Sequence, residues 1–269
     1  MKNSTKSFIF GFLLLTLTGS SAFAQTELSW FQKIKNFFTG TSAPQATVST
    51  EAPEPEQPTV TAEPQEKKPV FDFSEKTIGN RNAPLKMHIF TSLTCSHCPI
   101  VHSQVLPYLQ EKYIDTNEVM VILADFPLDA RAMTASLVSR CLTGDKYFAF
   151  MDSLFENQMK WAVAPNLQEA LLPYAKLAGL SEEEMLACAT DESALKELTR
   201  QRNLALMQFK IHATPTFVLR LGKEKEVIEG VPSRTDLDNA IERLKKTYTG
   251  PWPAPQAEQE KAAPVPAAP

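Results

Sequence analysis

The sequence has no excess of basic residues, and this narrows the classes of protein that it can encode. Its 269 residues contain 27 Lys and Arg against 31 Asp and Glu, which gives a formal net charge of −4. Proteins that bind nucleic acid through its phosphates carry a positive surface. We therefore expect no nucleic-acid partner.

The sequence also lacks an apolar run long enough to cross a bilayer comfortably. The apolar stretch from Phe8 to Leu17 has ten residues, whereas a membrane-spanning helix needs about 20. It follows Lys2 and Lys6 and precedes Ala22-Phe23-Ala24, which is the pattern of a secretory signal peptide. We predict a signal peptide over residues 1–24, with an uncleaved anchor as the alternative. Because no cysteine lies at the cleavage site, a lipoprotein is disfavoured.

Large apolar residues are scarce in two proline-rich stretches. Twelve of the 20 prolines fall in residues 41–70 and 251–269. Such stretches cannot bury enough apolar surface to form a core, so we expect a disordered linker and a disordered tail over 250–269. The folded domain is predicted over residues 71–249, which is enough for one well-buried core.

A short amphipathic pattern lies within the predicted linker region, residues 25–70. It covers residues 28–39, and the apolar side chains that could share one face are Trp30, Phe31, Ile34, Phe37 and Phe38. Such a face could bind a membrane surface or another copy of the chain. Alternatively, the segment packs on the domain or on nothing.

Cysteine is rare, with four residues in the chain, all beyond the predicted signal. Export would place them where disulfides persist. Four cysteines allow three pairings. Cys95 and Cys98 form a Cys-x-x-Cys motif, so we favour them as the redox-active pair. Cys141 and Cys188 then form a structural disulfide, or remain unpaired in the core.

The residues around the motif predict a strand followed by a helix. Residues 85–91 are strand-like, and apolar residues recur at helical spacing from the motif to about Tyr113. A second buried strand at 119–123 completes a βαβ unit, whose strands should be parallel. Pro107 lies inside the predicted helix and should kink it.

From about residue 130 to 209 the pattern is wholly helical, and strands return afterwards. Buried stripes are predicted at Phe148, Met151, Leu154 and Phe155 and at Leu167, Leu171, Tyr174 and Leu177. Ser181 is predicted to open a helix through a capping box. Residues 216–221 and 226–229 predict an antiparallel hairpin with a four-residue turn. Ser233 is predicted to cap a last helix.

A Cys-x-x-Cys pair at the start of a helix is suited to opening and closing a disulfide. The helix dipole and the free backbone N–H groups favour a thiolate at Cys95, the predicted nucleophile. Cys98, one turn further on and more enclosed, is the predicted resolving thiol. His97 could add a donor or a partial positive charge for thiolate stabilisation. Stabilising the reduced thiolate makes the disulfide a stronger oxidant.

The order β–α–β, a helical block and β–β–α resembles a thioredoxin fold with an inserted all-helical domain. Three segments are similar to DsbA-type thiol:disulfide interchange proteins: Thr91 to Cys98, Phe126 to Asp129 and Ala213 to Phe217. Segments of the helical block resemble the four-cysteine branch of that family found in α-proteobacteria; they are Ser139-Arg140-Cys141, Leu154-Phe155, Trp161 and Ala175 to Leu180. The resemblance covers about residues 71–248.

This resemblance implies an α/β protein in the periplasm. Thr214 and Pro215 would form the cis-proline loop that faces the cysteines and offers backbone to a substrate peptide, an ordinary trans proline being the alternative. The redox group would be the Cys95–Cys98 disulfide, with no separate cofactor and no metal. The implied partners are unfolded or reduced exported proteins and a membrane reoxidising partner of the DsbB type.

One position departs from the family pattern. Many relatives carry a buried acid six residues before the first cysteine, where this chain has Ile89. His88 is adjacent, but in a strand it would point to the opposite face. We expect either proton transfer through water and His97, or a redox poise that differs from the family norm.

Three functions are consistent with these residues. We predict a dithiol oxidase that introduces disulfides into exported proteins. The first alternative is a disulfide isomerase or reductase, possibly oligomeric through residues 28–39. The second is a non-catalytic metal-binding or chaperone module. A metal would need Cys95, Cys98, His97 and His102, three of which crowd one helical turn in a poor tetrahedral arrangement.

Overall fold

A five-stranded sheet lies at the centre of the computed structural model, which describes residues 68–253. The strands are β1 (Lys76–Ile78), β2 (Leu85–Thr91), β3 (Val119–Asp125), β4 (Thr216–Leu221) and β5 (Glu224–Glu229). Their order across the sheet is β1-β3-β2-β4-β5. Strands β2 and β3 are parallel, as predicted, and the other neighbours are antiparallel.

Eight helices complete the part of the chain that the structure describes. Helix α1 consists of four consecutive pieces, Cys98–Ile100, Val101–Val105, Leu106–Leu109 and Gln110–Ile114, of which the second and fourth are π-helical turns. The others are α2 (Ala130–Arg140), α3 (Asp145–Glu156), α4 (Gln158–Trp161), α5 (Leu167–Leu177), α6 (Glu182–Thr190), α7 (Glu192–Phe209) and α8 (Arg234–Thr247). The predicted thioredoxin fold with a helical insertion is confirmed, and α2 to α7 form that insertion.

Alternating side chains of β2 divide between the two faces of the sheet. Leu85, Met87 and Ile89 are fully buried on the face covered by α1 and α8. Phe90 lies on the other face, where it packs with Ala205 of α7. The sheet is therefore covered on both sides, and the end of β2 is held in a fixed position.

Three local features differ from the sequence prediction. Strand β1 was not predicted, since its three residues are too few for an alternating pattern. The hairpin is tighter than expected, because Leu221 pairs directly with Glu224 across a two-residue turn in which Gly222 has φ of +60°. Before Pro107 the helix widens to a π turn, in which the N–H of Leu106 bonds to Val101.

The helical insertion follows its sequence signals closely. Ser181, before α6, forms the predicted cap with a full capping box, and so does Ser233 before α8, outside the insertion. One prediction on the second stripe is wrong: Leu177 is 84% exposed. The buried residues of α5 are Leu167, Leu171 and Ala175. They follow one another in steps of four, so the stripe rotates away from Leu177 at the last residue of the helix.

A buried ion pair fixes the insertion to the sheet. The Nε of Arg140, at the end of α2, donates to Oδ2 of Asp125, at the end of β3, over 2.7 Å, and both side chains are 3% exposed. The same guanidinium donates to the carbonyl of Ser74 at 3.1 Å. Since a buried pair is costly to break, these contacts hold the start of the described chain, the sheet and α2 together.

None of the helices within residues 68–253 is long and apolar enough to cross a membrane.

A disulfide joins Cys141 to Cys188, with an S–S distance of 2.00 Å and a Cα–Cα distance of 6.2 Å. It connects the residue after α2 to α6. Its two cysteines are 47 residues apart in the sequence, so the bridge removes substantial freedom from the unfolded chain.

Removing this bridge should lower the free energy of unfolding by about 4 kcal/mol, from the entropy of closing a loop of that length. We expect the double variant Cys141→Ala, Cys188→Ala to unfold at lower urea concentration than the wild type. Under strong reductant, where neither protein has the bridge, the two unfolding curves should converge. Equal midpoints without reductant would contradict the prediction.

Candidate active site

The register of the sheet brings together two segments that are far apart in the sequence. Phe90, at the end of β2, pairs with Thr216, at the beginning of the antiparallel strand β4. The loop after β2 leads to Cys95, and the residue before Thr216 is Pro215. The motif and the Thr214-Pro215 loop therefore meet at one edge of the sheet.

The cysteines lie in successive turns where β2 passes into α1. The N–H of Cys95 donates to Ser92 at 3.1 Å, and the N–H of Cys98 donates to the carbonyl of Cys95 at 3.1 Å. Helix α1 begins at Cys98, with His97 at its N-cap. Cys95 thus lies just before the helix, where backbone N–H groups have no helical partner.

Both cysteines are free thiols, but they are buried to different extents. Cys95 is 9% exposed and Cys98 is 0% exposed. An incoming thiol can therefore reach the first sulfur more easily than the second.

The predicted proline loop lies against the first sulfur. The peptide bond between Thr214 and Pro215 is cis. When Cys95 is protonated, its thiol donates a hydrogen bond to the carbonyl oxygen of Thr214, with Sγ and O separated by 3.1 Å. The structure therefore places Cys95, Cys98, Thr214 and Pro215 in one site.

Hydrogen bonds favour a negative charge on Cys95 and disfavour one on Cys98. The pKa of Cys95 is lowered to about 5, chiefly by a hydrogen bond from the Cys98 side chain, although burial acts in the opposite direction. The Thr214 side chain and the backbone N–H groups of His97 and Cys98 lower it further. The pKa of Cys98 is raised, because its thiol donates to Cys95 and because it is buried. At neutral pH the pair thus carries one thiolate, on Cys95.

The Thr214 hydroxyl is a donor held beside the sulfurs. Its Oγ1 is buried and has no hydrogen-bond partner within the described chain. The same side chain lowers the pKa of both Cys95 and Cys98. This hydroxyl is therefore available to donate a hydrogen bond to a thiolate.

Replacing Thr214 with valine should raise the pKa of Cys95 by roughly one to two units, because a hydrogen bond to a charged group contributes about 1.5–3 kcal/mol. Thiolate absorbance near 240 nm, followed against pH, gives the midpoint. Thr216→Val is the matched control, since that hydroxyl donates instead to the Ala213 carbonyl at 2.8 Å. Equal midpoints in Thr214→Val and the wild type would contradict the prediction.

His97 is exposed between the two cysteines. Its backbone N–H lowers the pKa of Cys95. The contribution of its imidazole, which the sequence suggests, stays a prediction.

Sequence reasoning did not find the residues that hold the active-site loop. The hydroxyl of Thr94 donates to Asp129 at 2.6 Å, and the N–H of Leu128 donates to the Ser92 hydroxyl at 3.3 Å. Gln158 of α4 donates to two carbonyls of the same loop. All four hydrogen bonds join residues more than 30 positions apart, so no local pattern indicates them.

At the position where many relatives carry a buried acid, this chain has a residue of the hydrophobic core. Ile89 is fully buried among the residues between the sheet and helices α1 and α8. His88 lies on the other face, with its ring centroid 5.4 Å from that of Phe209, and burial lowers its pKa. His102 bonds to Asp152 at 2.7 Å and packs against Phe155 with the two rings tilted by 33°. His212 is exposed.

Within residues 68–253 there is no group of three or more His, Cys, Asp or Glu side chains placed to hold a metal ion.

Comparison with known proteins agrees with this geometry. Residues 73–243 match the family model described as thioredoxin. The chain belongs to the thioredoxin family. Among solved structures, alpha-DsbA1 of Wolbachia pipientis shares 30% identity with a TM-score of 0.58, and the match covers 64% of this chain and 91% of that one. This thioredoxin-family protein is therefore of the DsbA type.

Curated relatives point to the same chemistry. A Rickettsia bellii protein named a protein-disulfide oxidoreductase is 29% identical over 177 residues, which are 65% of this chain and 68% of the relative. A Rickettsia typhi protein of similar name is 29% identical over 149 residues and 55% of its own length. The chain thus spans about half to two thirds of the length of these relatives. Its class of activity is thiol:disulfide oxidoreductase.

Proposed function

We propose that this DsbA-type protein is a dithiol oxidase that introduces disulfides into exported proteins by exchange at Cys95 and Cys98. The observation that carries the proposal is that the two sulfurs differ in exposure and in pKa. Cys95 is partly accessible with a lowered pKa, and Cys98 is fully buried with a raised pKa.

A stabilised thiolate favours the oxidising direction. Only the reduced protein has a Cys95 thiolate, so the hydrogen bonds to it stabilise the dithiol form relative to the disulfide. Each 1.4 kcal/mol of such stabilisation raises the reduction potential by about 30 mV. A Cys95 pKa near 5 therefore supports an oxidant over a reductant.

The exchange takes two displacement steps. A substrate thiolate attacks Sγ of Cys95 and forms a mixed disulfide, while the bond to Cys98 breaks and Cys98 leaves as a thiolate that takes up a proton. A second substrate thiolate then attacks the substrate sulfur of the mixed disulfide and releases Cys95 as a thiolate. The substrate loses two electrons and two protons; one proton goes to Cys98 and the other to solvent, so the reduced enzyme has a Cys95 thiolate and a Cys98 thiol.

The surroundings of Cys95 suit an unfolded protein chain. Thr214 and Pro215 present backbone next to the sulfur, where a substrate peptide can bind. Two apolar side chains nearby are exposed, Leu128 by 45% and Met159 by 70%. The N–H of Leu128 itself bonds to the active-site loop, and Met159 follows Gln158, whose amide bonds to that loop. Exposed apolar side chains at such a place favour contact with the apolar segments of an unfolded substrate.

Reoxidation requires a second protein. Each cycle leaves the Cys95–Cys98 pair reduced, so the proposal includes a membrane partner of the DsbB type that accepts the two electrons. The redox group is the cysteine pair itself, without a separate cofactor. We place the protein in the periplasm on the basis of the predicted signal over residues 1–24, which lies outside the described residues.

Equilibration of the Cys95–Cys98 pair with glutathione buffers tests the proposal. We expect a reduction potential near −120 mV, which is the value known for DsbA itself. A potential near about −270 mV, typical of thioredoxin as a reductant, would overturn the oxidase. The isomerase alternative predicts in addition that the protein rearranges scrambled disulfides and loses this activity, but not its potential, when residues 28–39 are deleted.

A further inference from the structure

A buried amide of the helical insertion bonds directly to the backbone of the active-site loop. Gln158 is 6% exposed. Its Nε2 donates to the carbonyl of Leu93 at 2.8 Å and to the carbonyl of Cys95 at 2.9 Å. An amide nitrogen has two N–H groups, so both are committed to this loop.

The second of these contacts fixes the peptide group that carries the nucleophile. The carbonyl of Cys95 also accepts the N–H of Cys98 at 3.1 Å. It is therefore held from helix α1 and from the insertion at once. The peptide groups that follow provide the N–H groups of His97 and Cys98, which act on the Cys95 sulfur. Any rotation at Cys95 would change the direction of these donors.

Gln158 is itself held in place by its own segment. The Trp161 indole donates to the carbonyl of Leu154 at 2.8 Å, and the Asn157 side chain donates to the carbonyl of Ser153 at 3.0 Å. These bonds fix the turn between α3 and α4. One helix earlier, Asp152 bonds to His102 of α1. The insertion therefore contacts both the loop before α1 and the helix itself.

We propose that Gln158 is a positioning residue, whose amide holds the Leu93–Cys95 loop in the geometry that makes Cys95 reactive. The proposal rests on the proposed exchange at Cys95 and assigns the helical insertion a part in it. The residue touches the backbone of Cys95 and acts through it. Its loss would leave the buried Leu93 carbonyl without its side-chain donor and would free the loop to rotate.

The test replaces Gln158 with methionine, which keeps the approximate size and removes both donors. We expect the pH midpoint of Cys95 thiolate formation to rise by about one unit, and the equilibrium constant with glutathione to become about tenfold less oxidising, equivalent to about 30 mV. Gln201→Met is the matched control. It removes an amide of α7 that bonds to Glu197 at 2.9 Å and to the Phe73 carbonyl at 3.5 Å, so it should lower stability alone.

A second variant keeps the test decisive if Gln158→Met does not fold. Gln158→Glu has the same shape, but when ionised it presents acceptors to the two carbonyls and a negative charge near Cys95, so its midpoint should also rise. A folded variant at position 158 with the wild-type midpoint and glutathione equilibrium would overturn the proposal. The oxidase proposal is judged separately, on the potential of the wild type.

Discussion

Replacing Cys95 with serine is expected to lower catalysed thiol–disulfide exchange by roughly a thousandfold or more. A serine hydroxyl is not ionised at neutral pH and cannot form a disulfide. Cys98 cannot take over, because it is fully buried and its pKa is raised. The measurement is the rate at which the oxidised protein forms disulfides in a reduced peptide that contains two cysteines.

Cys98→Ser is the matched control for that loss. It keeps the nucleophile and removes the thiol that pairs with Cys95. When a peptide disulfide is added, Cys95 attacks it and releases one peptide thiolate, so a mixed disulfide should accumulate at Cys95 and be visible by mass. If Cys95→Ser retained a tenth of the wild-type rate, exchange would not depend on this sulfur. Retention of aggregation suppression alone would favour the chaperone alternative for that function.

The site was predictable where its signals are local. The motif of Cys95 and Cys98 follows a strand and opens a helix within a few residues, and Thr-Pro precedes another strand. Parallel pairing of β2 and β3 follows from the strand–helix–strand order. Antiparallel pairing of β4 then brings Thr216 beside Phe90, and so carries Pro215 to the cysteines.

The remaining features depend on contacts between distant parts of the chain. Gln158 lies in α4, which has four residues and is too short for a periodic pattern. No motif near it in the sequence indicates a contact with Leu93. The Thr94–Asp129 bond likewise depends on how two loops meet in the fold. Leu177 is a contact that was predicted and is absent. Helical spacing predicts that its side chain is buried, but spacing cannot show where the surface packed against α5 ends.

The reduced protein should lose stability as the pH falls from 7 to 4, and Cys95 is the reason. Its pKa is about 5 in the folded protein, against about 8.5 for a free cysteine in the unfolded chain. A lowered folded pKa contributes stability that is fully present above the unfolded pKa and is lost as the pH falls through the folded one. At pH 7 the contribution is about 3 kcal/mol, and near pH 4 it is about zero.

This contribution is isolated by comparing reduced wild type with reduced Cys95→Ala at each pH. Cys98 does not disturb the comparison between pH 4 and 7, because its raised pKa leaves it protonated in both the folded and the unfolded states. The difference in unfolding free energy, from urea denaturation, should grow by about 3 kcal/mol across this range. The same titration should appear as an alkylation midpoint near pH 5.

The oxidised wild type provides the control. Because a disulfide sulfur does not titrate, the free energy of unfolding of the oxidised protein should lack the pH dependence that Cys95 causes. If reduced wild type and Cys95→Ala instead gave parallel profiles from pH 4 to 7, the folded protein would not stabilise the Cys95 thiolate. The dithiol form would then have no electrostatic advantage over the disulfide, and a strongly oxidising potential would have no source in this site. Stability against pH therefore tests the oxidase through equilibrium unfolding, without any substrate.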